Sequence, residues 1–272
     1  MVQPAEHLEL HVRVKTPGEN AVNLLYQESG LSKRRVKDAM TRGAVWITRG
    51  SNTQRLRRAK RELQAGDEIH LYYNADILAE EPAEPLLVAD VGEYSVWNKL
   101  YGMRSQGSKW GDHCTLARWA ERNLRPERPA FVVHRLDRAA SGLILVAHSR
   151  NTAADLSLLF RNREVDKRYQ AWVKGDFSRH ENPCRVDADI DGKHAVSEFA
   201  FAKTEDGRSL VDVRIETGRK HQVRRHLAGL GFPIVGDRLY GDAAHDEVDL
   251  QLVACRLAFR CPVSGELVEY RV

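Results

Sequence analysis

"HRLDRAASGLILVA", residues His134 to Ala147, sets His134, Arg135, Asp137 and Arg138 between two apolar runs, Phe131-Val132-Val133 and Leu143 to Val146. Short apolar runs bounded by polar turns read as strands of a buried sheet. Asp137 then stands at the rim of that sheet and not inside it. The small residues Ala139-Ala140-Ser141-Gly142 leave room for a bulky ligand backbone to approach. By itself, an Asp between two arginines reads as a surface ion-pair cluster as readily as a reactive carboxylate.

The neighbouring stretches supply the rest of the domain. "YSVWNK", "FVVHRLD", "GLILVAH", "RYQAWVKG" and "LVDVRIETG" are strand-like, whereas "TAADLSLLFRN" and "KHQVRRHLAGLG" have helical spacing. This is an α/β (α+β) domain built on one large mixed sheet with flanking helices. Within residues 216–241, Val223, Leu227 and Leu230 make one helical face, and Arg224 lies at its edge, within reach of the sheet rim. His221 and His226 are spaced i, i+5 and so diverge around the helix, unlike a zinc-binding i, i+4 pair. No metal site is expected.

Composition bounds the whole. A chain of 272 residues with 42% hydrophobic content suits one sizeable core and a small accessory module. No run reaches the ~18 apolar residues of a membrane span, and the first residues lack a secretory pattern, so a cytoplasmic location is expected. The four cysteines stand apart without a C-x-x-C pair, which argues against zinc ribbons and disulfide frameworks.

Charge is uneven. Between Ser32 and Leu63 eleven basic residues face two acidic ones, although the chain as a whole carries only +4. Such a stripe suits phosphate neutralisation. Ser32 caps a short helix, "KRRVKDAMTRG", whose Val36, Ala39 and Met40 share a face and which stops at Gly43. A strand "AVWI" follows, and then a Gly-Asp turn in "LQAGDEIHLYY" opens an alternating strand, Ile69-Leu71-Tyr73. These pieces resemble the αL RNA-binding module of a small-subunit ribosomal protein, with the insert "RLRRAKRE" as a departure. The expected organisation is a module over 1–75, an Ala/Glu/Pro-rich linker over 76–87 and a catalytic domain over 88–272.

Three segments carry a second resemblance. "HRLDRAASGL", "KRYQAWV" and "TGRKHQVRRHLAGLGFPIVGDRLYG" are similar, in order and separation, to the signatures of the RluA-type RNA pseudouridine synthases. The chain departs from that family's pattern at Leu100, Ala140 and Val253. The resemblance implies a largely antiparallel central sheet and the isomerisation of uridine in RNA to pseudouridine. It makes Asp137 the essential carboxylate, which either attacks C1′ or takes a ribose proton. Arg224 is its cationic partner, Tyr169 lies against the uracil and helps move the C5 proton, Leu252 walls the base, and Arg135 enters the RNA helix that the target nucleotide has left. Ribosomal RNA is the favoured partner and transfer RNA the next, with no cofactor, no membrane and a monomeric state. A non-catalytic RNA-binding or ribosome-assembly protein is the alternative. A glycosidase-like hydrolase fits less well, since it needs a second carboxylate beside the bond.

Overall fold

The computed structural model describes residues 6–241 and 248–272, so residues 1–5 of the expected module lie outside the described residues. The chain forms two compact units, 1–83 with 106–119, and 84–105 with 120–272.

The first unit carries β1 (His7–Arg13), α1 (Ala21–Ser29), α2 (Lys33–Thr41), β2 (Val45–Arg49), β3 (Asn52–Arg55), β4 (Glu68–Asn74) and α3 (Ala75–Ala79). Its strands form an antiparallel sheet in the order β1-β4-β2-β3. Ser32 caps α2 by accepting from the Arg35 N–H, and Val36, Ala39 and Met40 are the buried residues of that helix. Lys33, Arg34, Arg35 and Lys37 are left exposed. The basic insert is irregular beyond β3 and is held by buried Leu56 and Leu63. The Gly-Asp turn is fixed by charge. Asp67 accepts from Arg49 Nε at 2.8 Å and Nη2 at 2.7 Å, bonds that hold its carboxyl below the ordinary range. Residues 106–119 also belong to this unit, where Asp112 pairs with Arg55 at 3.0 Å and with Arg57. Part of the expected linker is ordered: α3 takes residues 75–79, and a strand begins at Leu86.

In the second unit β5 (Leu86–Asp90), β6 (Tyr94–Lys99), β7 (Phe131–Val132), β8 (Ser141–Ala147), β9 (Asp166–Lys174), β10 (Cys184–Asp187), β11 (Val196–Glu205), β12 (Arg208–Ile215), β13 (Leu252–Arg260) and β14 (Leu267–Arg271) form one sheet. The main path runs β10-β11-β12-β9-β13-β8-β6-β5, and every pairing is antiparallel except β13 with β8. Helix α4 (Leu116–Asn123) lies where the chain passes between the units, while α5 (Arg150–Arg161) and α6 (Gln222–Gly229) belong to the second. One buried cluster gathers Val173, Phe199, Val213, Val223, Leu227 and Leu252, and another gathers Tyr94, Leu143, Leu145, Leu156, Leu257 and Phe259.

Two details differ from the sequence reading. "FVVHRLD" pairs as a strand only at Phe131 and Val132, because the Leu145 N–H donates to the His134 side chain at Nε2 (2.9 Å), where a continuing strand would supply its backbone. Gly142, the last of the small residues and the second of β8, makes room for the protein's own backbone, whereas Ala140 lines the cleft that holds Asp137. Gly142, at φ +108°, lies against β13 so closely that a Cβ would sit 2.4 Å from the Ala254 carbonyl oxygen. That contact is made at the parallel β8–β13 junction, where Gly142 pairs with Ala254. Gly142→Ala should therefore force the two strands apart and cost about 1–3 kcal/mol, a loss that thermal unfolding of the purified protein will register.

Candidate active site

Asp137 follows β7 on a turn whose backbone is tied down from several sides. Ser105 Oγ donates to the Leu136 carbonyl at 3.0 Å and accepts from the Leu136 N–H at 3.1 Å. The Gly102 N–H donates to the Arg138 carbonyl at 2.9 Å, and Arg138 Nε returns a bond to the Gly102 carbonyl at 3.0 Å. Lys99 is fully buried at the end of β6, and its ammonium donates to the carbonyls of Leu100 and Met103, both at 3.0 Å, and of Ala140. Burial pulls that ammonium down to about 8 while Asp137 favours its charged form. His134 completes the frame. It stacks on Phe160 at 4.2 Å, and burial pulls its imidazole down to about 3, which keeps it neutral and able to accept from Leu145.

The cation that faces Asp137 is ordered by a different acid. Arg224 on α6 is 3% exposed, and its guanidinium makes a bidentate pair with Asp237, Nε to Oδ2 at 2.8 Å and Nη2 to Oδ1 at 2.6 Å. Its remaining nitrogen, Nη1, points toward Asp137 Oδ2 at 3.9 Å. The Arg224–Asp137 pairing expected from sequence is thus an approach without a hydrogen bond, and Asp237 is the bonded partner. Burial opposes both charges, but the hydrogen bonds between them hold Asp237 below the ordinary carboxylate range and Arg224 above its own. The N–H groups of Leu239 and Tyr240 also donate to Asp237, at 3.0 and 3.1 Å.

His221 is the second group facing the carboxylate, with Nε2 3.8 Å from Asp137 Oδ1. It caps α6 in the left-handed region at φ 55°, and its Nδ1 meets the Tyr240 hydroxyl at 2.9 Å. Burial keeps its imidazole below the ordinary histidine value in spite of the nearby Asp137. His226 points elsewhere, to Ser197 Oγ at 3.0 Å, so the two histidines do not converge.

Asp137, Arg224, Tyr169, Leu252 and Arg135 all line one cleft of about 610 Å³. Tyr169 stands on β9 opposite Ala254 of β13, two residues along from buried Leu252. Burial and the charge of Asp137 push its phenol upward, so it stays protonated at neutral pH. Arg135 is exposed at the mouth. Seven lysine and arginine side chains line the cleft against two carboxylates, Asp137 and Glu216, an excess that suits a polyanionic ligand. Asp237, Lys99 and His221 were not among the residues selected from sequence. Their signals were faint: an acid after a turn glycine, a lysine closing an apolar strand, and a histidine dismissed as a metal ligand.

The profile of a family described as RNA pseudouridylate synthase matches residues 93–229. A Mycobacterium bovis protein named as an uncharacterized RNA pseudouridine synthase is 40% identical over 160 residues. That match covers 51% of this chain and 50% of the relative, so the chain spans about half that relative's length. A Bacillus subtilis protein, also named as an uncharacterized RNA pseudouridine synthase, is 31% identical over 274 residues, 89% of this chain and 86% of that protein. Among solved structures, human RNA pseudouridylate synthase domain containing 1 matches with a TM-score of 0.58 at 24% identity, over 71% of this chain and 86% of that one, a likeness of fold.

The Arg224–Asp237 pair generates a stability prediction. Asp237→Asn leaves a buried guanidinium without its counter-charge, which costs about 3–5 kcal/mol and lowers the melting temperature by roughly 6–20 °C at neutral pH. Asp237 has a depressed folded-state pKa, so its contribution is complete above the unfolded value of 3.8 and fades as pH falls through the folded one. Melting curves of the two proteins should converge only below about pH 4.

Proposed function

The chain belongs to the RNA pseudouridylate synthase family, and from that premise we propose that it isomerises uridine in structured RNA to pseudouridine, with Asp137 as the essential carboxylate. The observation that carries this reading is the convergence of Asp137, Arg224, Tyr169, Leu252 and Arg135 on one positively lined cleft.

The reaction breaks the bond from uracil N1 to ribose C1′, turns the base, joins C5 to C1′, and releases the C5 proton as N1 takes one up. It is redox-neutral and needs no cofactor. Asp137 serves as nucleophile toward C1′ or as base toward a ribose proton. Either role requires an ionised carboxylate in a partly dry site, where a nearby cation favours the charged form. Arg224 is held in place for that role before substrate arrives. The place of Tyr169 in the cleft wall beside Asp137 supports its lying against the uracil, and its upward-shifted phenol argues against its serving as a base at neutral pH. A stacked base exposes neither C1′ nor C5 to attack, so the nucleotide is extruded at a cost of a few kcal/mol, with Arg135 filling the vacated helix. The exposed basic face of α2 supports contact of the first unit with RNA phosphates, and a ribosomal RNA target is favoured over transfer RNA. A cytoplasmic, monomeric enzyme is part of the same reading.

Asp137→Asn keeps shape and removes charge, so it should fold and bind RNA yet release no tritium from RNA labelled at uridine C5. Nucleoside mass spectrometry of unmodified bulk RNA treated with the wild-type protein should show pseudouridine. No new nucleoside would leave a non-catalytic RNA-binding protein, and free uracil would identify a hydrolase. Arg135→Ala should slow turnover of a uridine held in a stem at least tenfold more than that of one already unstacked in a loop, a ratio that single-turnover rates on two hairpin RNAs will give. Equal losses on both would remove Arg135 from base extrusion.

A further inference from the structure

Strand β9 alternates its side chains, so Lys167 projects from the same face as Tyr169, and both line the cleft that holds Asp137. Its ammonium is half-buried and has no hydrogen-bond acceptor and no carboxylate partner among the described residues. It lies 5.9 Å from the centroid of the Phe160 ring, and a Cβ on Gly218 would sit 3.8 Å from its Nζ. Arg163 adds a like charge and, after burial, is the second influence that lowers the Lys167 pKa. Two other cations of the cleft are engaged by the protein: Arg224 by Asp237, and Arg219 by the His194 carbonyl at 2.9 Å. A partly desolvated ammonium set beside a like charge and without a counter-ion is unfavourable in the free protein. An anionic ligand entering the cleft removes that penalty.

We propose that Lys167 grips a backbone phosphate of the RNA strand beside the target uridine, a contact made inside the catalytic cleft. This rests on the RNA-modifying reading of that cleft. The ionised anions that RNA brings are its phosphates, and a lysine head meets one as a point charge without demanding fixed geometry. Gly218 across the cleft leaves space at the ammonium for the phosphate oxygens.

The test reads binding and not turnover, so it is separable from the catalytic reading. In the full-length Asp137→Asn background, Lys167→Met, Lys167→Arg and Lys203→Met are titrated with a synthetic stem-loop RNA carrying one loop uridine, across a range of salt concentrations. Lys203 lies on β11 outside the cleft, paired with Glu205 at 2.8 Å, and serves as the charge control. Lys167→Met should weaken binding and make the log–log salt slope shallower by about one, whereas Lys167→Arg and Lys203→Met keep the parent slope. The same RNA with a neutral methylphosphonate at a phosphate flanking the uridine should bind the parent more weakly, with no further loss on Lys167→Met. An unchanged slope for Lys167→Met, or equal methylphosphonate penalties in both proteins, overturns the phosphate contact. If the wild-type protein makes no pseudouridine while these binding results hold, only the catalytic reading fails.

Discussion

The buried pair between Arg224 and Asp237 is the interaction on which the site depends. Two charges that are 3% and 1% exposed meet in bidentate geometry, 13 residues apart in sequence. A pair so buried is costly unless its groups are hydrogen-bonded, and here the N–H groups of Leu239 and Tyr240 complete Asp237. The pair ties α6 to the loop after it, and the same loop brings the Tyr240 hydroxyl to His221. Arg224 keeps one nitrogen unengaged by Asp237, and that nitrogen faces Asp137. The positive charge facing Asp137, the carboxylate proposed to react, is thus placed by the fold before any substrate binds, which is how preorganised electrostatics contribute to rate.

Arg224→Met cannot separate catalysis from folding, because it strands Asp237 as a buried carboxylate. Asp137 differs. It is 27% exposed, accepts no short hydrogen bond from either neighbouring cation, and hangs from a backbone that other residues hold. Lys99, Ser105 and Gly102 fix the carbonyls and N–H groups of residues 136–140, so the turn is rigid while its carboxylate faces the cleft. Rigidity at the backbone with an unsaturated side chain is what a group needs if its strongest contacts are to form with substrate.

Residues carried by a short local pattern were legible from sequence as members of one site. Asp137, Arg135, Tyr169 and Arg224 sit in three short segments, Leu252 lies in a strand beyond them, and the structure brings all five to one cleft. The helix starting after Ser32 and the alternating strand at Ile69-Leu71-Tyr73 were legible for the same reason, since caps and period-two burial are local. What could not be read were partnerships across long separations. Lys99 meets the Ala140 carbonyl, Ser105 meets Leu136, and Asp112 meets Arg55 and Arg57, none of which leaves a mark in periodicity. The family resemblance paired Arg224 with Asp137 and carried no sign of Asp237, the acid 13 residues on that bonds it directly.

The three positions that depart from the family pattern fit this division between side chain and backbone. Leu100 contributes its carbonyl to Lys99 while its side chain is exposed. Ala140 likewise contributes its carbonyl to Lys99, and its N–H donates to the Asp137 carbonyl at 3.2 Å. Val253 pairs with Ser141 in the parallel ladder at the β8–β13 junction. Each position acts through main-chain atoms, in the turn or in the adjoining ladder, that every residue type but proline possesses. Substitution there leaves the frame of the carboxylate standing, whereas a change at Gly142, Asp237 or Lys99 removes an atom or a space that no other residue supplies.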